Sequence, residues 1–350
     1  MVIAEMSKGA VLGAAAVSRR GKRRRTIRGC ANSVPFDPAM DFVFERQLPT
    51  SSAQPGSPQM VSGGSEHQCR ADCPGSCLRW PRAAAPVLAA SREQLQAFRE
   101  YGESWYLSVK ELESRFPPRE PLAQQPQVTA KRRCKLVGWL RLLNEYLSLS
   151  FETFCQAINI LDRFLVTTPV ATDCFQLLGL TALFIASKQV EVQPPTMEEL
   201  LAHCSGAFSR QQLRNLECIV LRRLNFDLAA PTLSFFLEYF NLVRLEAPRA
   251  DAREAADAWS LAVGIAGLSL ADYAFIDYAP SLLAEGSLGL ADRLLQHRRP
   301  ANLEVSGYPE ELLQDCMAQL HLLVSLNEDS LSALLPWEVA RKCSWRHGSR

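Results

Sequence analysis

RRCKLVGWLRLLNEYLSLSFETFCQAINILDRFL, residues 132–165, carries the reading of the fold. Leu136, Leu140 and Leu143 recur at spacings of four and three, with Trp139 beside them. Phe154, Ile158, Leu161 and Leu165 recur at four, three and four. That period places each set on one face of an α-helix, so the stretch is two amphipathic helices in succession. Arg133 and Asp162 fall within these otherwise core-like faces. A lone buried charge costs several kcal/mol, and a mutual ion pair is the least costly way to keep both. Thr129 and Ser150 stand at N-cap positions, and Glu152 lies near the positive end of the second helix.

Helical signals continue downstream. Residues 174–188 are apolar nearly all round, which marks a helix buried on every side. Asp173 is its candidate cap, and Gly179, Ala182 and Ala186 would let neighbouring helices approach closely. Thr196 with Glu199 and Ser209 with Gln212 form capping boxes for the fourth and fifth helices, with Gly206 at a C-terminal cap position between them. The pattern restarts after Asp227. Pro231 suits the first turn of a helix through Phe240, and helical periods follow at about 251–270, 280–297, 309–326 and 329–342.

Upstream, roughly the first ninety residues are rich in Ser, Pro, Gly and Ala and lack helical period, which predicts disorder. Ser91 with Gln94 opens a further helix carrying Leu95, Phe98, Trp105, Val109 and Leu112, ending before Pro117 and Pro118. Strand signals are almost absent. The expected class is therefore all-α: a tail over 1–90, an N-terminal helix plus five-helix unit over 91–228, a second such unit over 229–343, and a short tail over 344–350.

Composition narrows the function. With 47% hydrophobic and 21% charged residues the chain can bury a sizeable core, and its net charge of +1 is no polyanion binder's. The eleven cysteines mostly sit singly in helical patterns, as in a reducing compartment. No apolar run reaches the ~18 residues a bilayer span needs. An intracellular protein with no membrane partner is expected. No phosphate loop, H-E-x-x-H or G-x-S-x-G in context is present, and the five histidines are scattered, so neither catalysis nor a cofactor is expected. His67, Cys69, Cys73 and Cys77 form one metal-like cluster, but its x3 spacings and apolar-poor surroundings favour reduced cysteines in a tail, with no metal. The run RRGKRRRTIR, residues 19–28, reads as a nuclear import signal. No aromatics interleave it, so nucleic acid is not the expected partner.

The block 132–165, the run LLGLTALFIASK, the Pro-Pro turn before TMEELL and the stretch NLECIVLRRLNFDL together resemble the cyclin family. The resemblance extends over roughly residues 92–343 and implies two tandem cyclin boxes. It also implies a non-catalytic subunit that binds and activates a cyclin-dependent serine/threonine kinase, in nucleus and cytoplasm, without a small-molecule substrate. Within the family, the likeness points to a branch active in differentiating multiciliated cells. The family's kinase-contacting lysine and glutamate fall on Lys188 and Glu217, with Ile185, Leu221 and Phe226 as the apolar part of that face. Many cyclins follow the lysine with F-E-E; here Gln189, Val190 and Glu191 stand instead, without the aromatic anchor. The family's substrate-docking groove falls on Arg132, Lys135, Leu136, Trp139 and Gln176, where two apolar positions have become basic. The Arg133–Asp162 pair matches the family's structural ion pair. A rival reading is a cyclin-fold adaptor, of transcription-factor or pocket-protein type, that activates no kinase.

Overall fold

The computed structural model describes residues 92–116, 120–248, 250–298 and 306–346. The tail, the basic run 19–28, the cluster at His67–Cys77, the Ser91 cap and the stop at Pro117 lie outside these. Among the described residues all regular structure is helical. The first unit comprises α2 (Ala130–Tyr146), α3 (Phe151–Thr167), α4 (Thr172–Val190), α5 (Met197–Ala202) and α6 (Arg210–Arg223), preceded by α1 (Arg92–Glu113). The second comprises α7 (Leu233–Glu246), α8 (Ala252–Ala271), α9 (Pro280–Leu294), α10 (Glu310–Ser325), α11 (Glu328–Leu334) and α12 (Trp337–Ala340).

Local chemistry explains most boundaries. The Thr129 and Ser150 hydroxyls accept from Arg132 N and Thr153 N, capping α2 and α3. Both expected capping boxes close, Thr196 with Glu199 and Ser209 with Gln212. Three expectations shift. Asp173 does not cap α4, which starts at Thr172, two residues earlier than expected, and takes Asp173 into its first turn. Pro231 lies outside α7, whose cap is the Thr232 hydroxyl accepting from Phe235 N, and α7 continues to Glu246. The final helical stretch splits into α11 and α12 at Leu335 and Pro336, because proline cannot donate to the preceding turn.

Each unit is built round one central helix. In the first this is α4, where Leu136 packs so closely over Gly179 that an added Cβ would meet its Cδ1 at 2.9 Å. In the second it is α9, buried almost continuously from Ser281 to Asp292. Each has its own core, Leu140, Phe164 and Leu183 in one, Phe236, Ile265 and Leu288 in the other.

The helix α1 is a neighbour of the first unit in sequence but of the second in space. Tyr106, 5% exposed, stacks on Tyr239 with ring centroids 4.4 Å apart and meets Phe236 edge-on. Trp105, expected in the buried stripe, is 46% exposed and touches only the edge of that core through Phe235. Phe98 and Val109 of the expected stripe do pack on that core, so the difference is local: Tyr106 takes the buried place expected of Trp105. At the far end Glu113 Oε1 accepts from Ser281 N at 2.9 Å. α9 has no side-chain cap of its own, so α1 supplies it.

Candidate partner-binding surface

The pair Arg133 and Asp162 is bidentate, Nε to Oδ1 at 2.7 Å and Nη2 to Oδ2 at 2.6 Å, with the arginine side chain 1% exposed. Burial alone would lower the arginine's pKa, but the Asp162 carboxylate outweighs it and the value rises. The remaining arm does something the sequence did not suggest. Arg133 Nη1 donates to Leu270 O at 3.0 Å and Ala271 O at 3.4 Å, the orphan carbonyls at the C-terminus of α8. The pair therefore joins α2, α3 and the second unit. Arg141 adds a contact from α2 to the same helix, lying over Gly267, where an added Cβ would meet its Nη1 at 2.4 Å. These two arginines hold the units at one mutual angle.

Lys188 lies in the last turn of α4 and Glu217 in mid-α6, and the packing of α4 against α6 brings them together. The Lys188 ammonium forms an ion pair with Glu217 Oε1 and lies 4.2 Å above the Phe184 ring. The lysine side chain is 39% exposed and the glutamate 11%. An ammonium carries three donors and a carboxylate several lone pairs, so each keeps capacity to meet an outside main-chain group. Phe184 was passed over in the sequence, although its place one turn before Lys188 on the same helix was a usable signal.

The apolar residues assigned beside this pair divide. Ile185 is 3% exposed and belongs to the first core, so it offers no outward surface. Leu221 is half-buried. Phe226 is 66% exposed, carried outward by two successive left-handed residues, Asn225 at φ 54° and Phe226 at φ 57°. Both are non-glycine and costly in that region, yet main-chain bonds such as Phe226 N to Leu221 O at 2.9 Å hold the turn. Glu191 turns inward. It accepts from Ser150 N at 2.8 Å and Ser150 Oγ at 2.9 Å and is bonded by Thr153 Oγ1. Burial raises the pKa of Glu191, but these hydrogen bonds prevail and carry it below its ordinary value.

The positions assigned to a docking groove lie together along α2 and α4, but two are committed elsewhere. Leu136 is 4% exposed and packed over Gly179, so it is core and not groove floor. Arg132 Nη1 donates to Gln127 O at 3.0 Å and Thr172 Oγ1 at 2.5 Å, which ties it to the start of α4. Lys135 and Trp139 are half-buried and Gln176 is 9% exposed. Trp139 is the apolar side chain left to such a groove.

A second buried ionic cluster went unseen in the sequence. Arg244 of α7 pairs with Asp292 of α9 at 2.5 Å, and His297 Nδ1 lies 2.8 Å from the same carboxylate oxygen, all nearly inaccessible. Among the described residues no His, Cys, Asp and Glu group could hold a metal ion, all seven cysteines are free, and no helix is long and apolar enough to cross a membrane.

Comparison with known proteins adds to this geometry. Residues 104–229 match the family "Cyclin, N-terminal domain" and residues 231–335 match "Cyclin, C-terminal domain". The chain is 56% identical to Cyclin-O of Homo sapiens, over 82% of this chain and 81% of that protein. It is 52% identical to Cyclin-O protein B of Xenopus laevis, over 71% and 69%. It is 33% identical to Cyclin-A1 of Homo sapiens, over 63% and 47%. Among solved structures, a viral cyclin from herpesvirus saimiri superposes with a TM-score of 0.56 at 22% identity, covering 62% of this chain and 95% of that one. With two cores round α4 and α9, and both halves matched in order, the chain belongs to the cyclin family.

Proposed function

We propose that this protein is the non-catalytic regulatory subunit of a cyclin-dependent serine/threonine kinase, which it binds as a heterodimer and activates. The observation that carries the reading is the Lys188–Glu217 pair, exposed on its lysine side where α4 meets α6. Two opposite charges held in fixed register, with Phe226 projecting nearby in sequence, suit the main chain and an apolar pocket of a partner helix. The rigid first unit would press on the kinase αC helix and restore the lysine–glutamate pair that positions ATP phosphates. All phosphoryl-transfer chemistry belongs to the partner, and no cofactor is needed here. The same proposal places the protein in nucleus and cytoplasm and, from the likeness to Cyclin-O, in the differentiation of multiciliated cells.

The test exploits the internal pairing. A K188E/E217K double variant keeps opposite charges in contact, so the fold stays, but it offers a partner acid where base was and base where acid was. Each lost contact at a desolvated interface should cost ~2–5 kcal/mol. Kinase co-purification and histone-kinase activity should fall to background while the helical circular-dichroism spectrum is unchanged. Full activity in the double variant refutes the proposal. The adaptor reading predicts that nucleic acid or a non-kinase peptide co-purifies instead, and mass spectrometry of the captured complex separates the two.

A further inference from the structure

A cleft of about 480 Å³ opens between the two units, lined by α3, the linker after α6, the end of α8 and the start of α9. Its wall includes Ile158, Val166, Leu270 and Leu283. Its charges are unevenly matched. Arg133 and Asp162 neutralise each other, and Asp272 keeps its charge while accepting from Ala274 N at 3.0 Å. Arg115, Arg163 and Arg223 then stand against Asp227 and Asp272; three cations against two carboxylates leave one positive charge over. Arg163 is half-buried, with its guanidinium 4.8 Å from the Phe116 ring. It has five donors, yet reaches Asn159 Oδ1 at 3.4 Å and Asp227 at 3.9 Å. Burial lowers its pKa against the pull of Asp227, as for a cation whose counter-charge is too distant. Arg115 and Arg223 are exposed, and their guanidinium groups have no hydrogen bond or ion pair among the described residues.

We propose that this cleft binds a phosphorylated serine or threonine of a partner peptide, with an adjoining apolar side chain against the Ile158–Leu283 wall. The planar fork of arginine matches phosphate oxygens two at a time. A phosphoryl group brings three strong acceptor oxygens, enough for Arg115, Arg163 and Arg223 together, where a carboxylate brings two. A nucleic acid would stack bases on open aromatic rings, and the rings lining this cleft, Phe116, Phe275 and Tyr278, are half-buried or buried. The proposal stands on the cleft alone and does not depend on the Lys188–Glu217 face.

The experiment titrates the full chain with the peptide acetyl-Ala-phosphoserine-Leu-Ala-amide, followed by calorimetry and by ³¹P line broadening. The expected result is saturable sub-millimolar binding, weakened about tenfold or more by R115Q/R223Q and by added salt. Because both substituted arginines are exposed, that variant should melt like the parent, and R163Q gives a second, independent loss. The glutamate-substituted peptide and inorganic phosphate should each bind at least about tenfold more weakly, since one lacks the third acceptor oxygen and the other the apolar contact. No saturation by the phosphopeptide at millimolar concentration overturns the proposal. So does undiminished binding in R115Q/R223Q, or equal binding of the glutamate peptide or of inorganic phosphate. Tighter binding of single-stranded oligonucleotide than of phosphopeptide would make the cleft a nucleic-acid surface and sink it equally.

Discussion

Arg133 shows how much one side chain can hold. It meets a carboxylate on α3 with two arms and the C-terminal carbonyls of α8 with a third, its own side chain away from solvent. Truncation would strand Asp162 and leave two main-chain acceptors unsatisfied. Arg133→Ala should therefore lose ~3–5 kcal/mol of stability, read by urea denaturation. A melt matching the parent would mean that water enters the gap and the burial argument fails. The pairing of Arg133 with Asp162 was legible because each broke an apolar helical face. Arg244 and Asp292 broke their faces too, but the reading gave them no partner, since the contact spans 48 residues and rests on how α7 crosses α9. Ile185 and Leu136 were misjudged for the same reason. A helical period says that a residue belongs to an apolar face, not whether a neighbour covers it.

Between elements, the seat of α1 on α9 is the most chemically loaded contact. Lys110 reaches Glu113 Oε2 at 2.7 Å, Ser281 and Tyr308, and lies 4.3 Å above the Tyr308 ring. One turn along α9, Glu285 is fully buried. Burial pushes its carboxyl from the ordinary 4.5 to about 7; Ser306 and Lys110 oppose the rise and Glu310 adds to it. The folded state then holds a proton that the unfolded state has released, so stability declines as pH rises from about 4.5 to about 7 and stays low above that. Glu285→Gln keeps the shape and removes the titration. It should be more stable than the parent at pH 8, by on the order of 1 kcal/mol, with the advantage vanishing near pH 5. Urea midpoints at the two pH values decide it, and parallel pH dependence in both proteins would show that Glu285 titrates normally.

Across the whole molecule, the two units are joined through Arg133, Arg141 and the crossing of α2 and α3 with α7 and α8, so the Lys188–Glu217 surface and the inter-unit cleft are tied to one another through packed helices. Each residue of that junction lies downstream of the first ninety residues. Their removal should leave kinase capture within about twofold and shift the protein out of the nucleus, because residues 19–28 hold the dense basic run. Fluorescently tagged full-length and truncated forms make the comparison directly. Equal nuclear signal from both would reduce that run to solvated charge.

By itself the sequence determined what depends on near neighbours: where helices run, how Thr129, Ser150, Thr196 and Ser209 cap them, and that Arg133 needs a carboxylate. Caps and helical faces are settled within a turn or two of chain, so a window of residues carries them. Lys188 and Glu217 were located only through resemblance, since nothing in their local pattern distinguishes them from other helix-surface charges. The tertiary structure alone decided that α1 rests on the second unit, that Glu113 caps α9 from 168 residues away, and that the cleft's arginines outnumber their acids. Those outcomes depend on which helix face meets which, and that choice minimises exposed apolar area over the entire chain at once, beyond the reach of any local period.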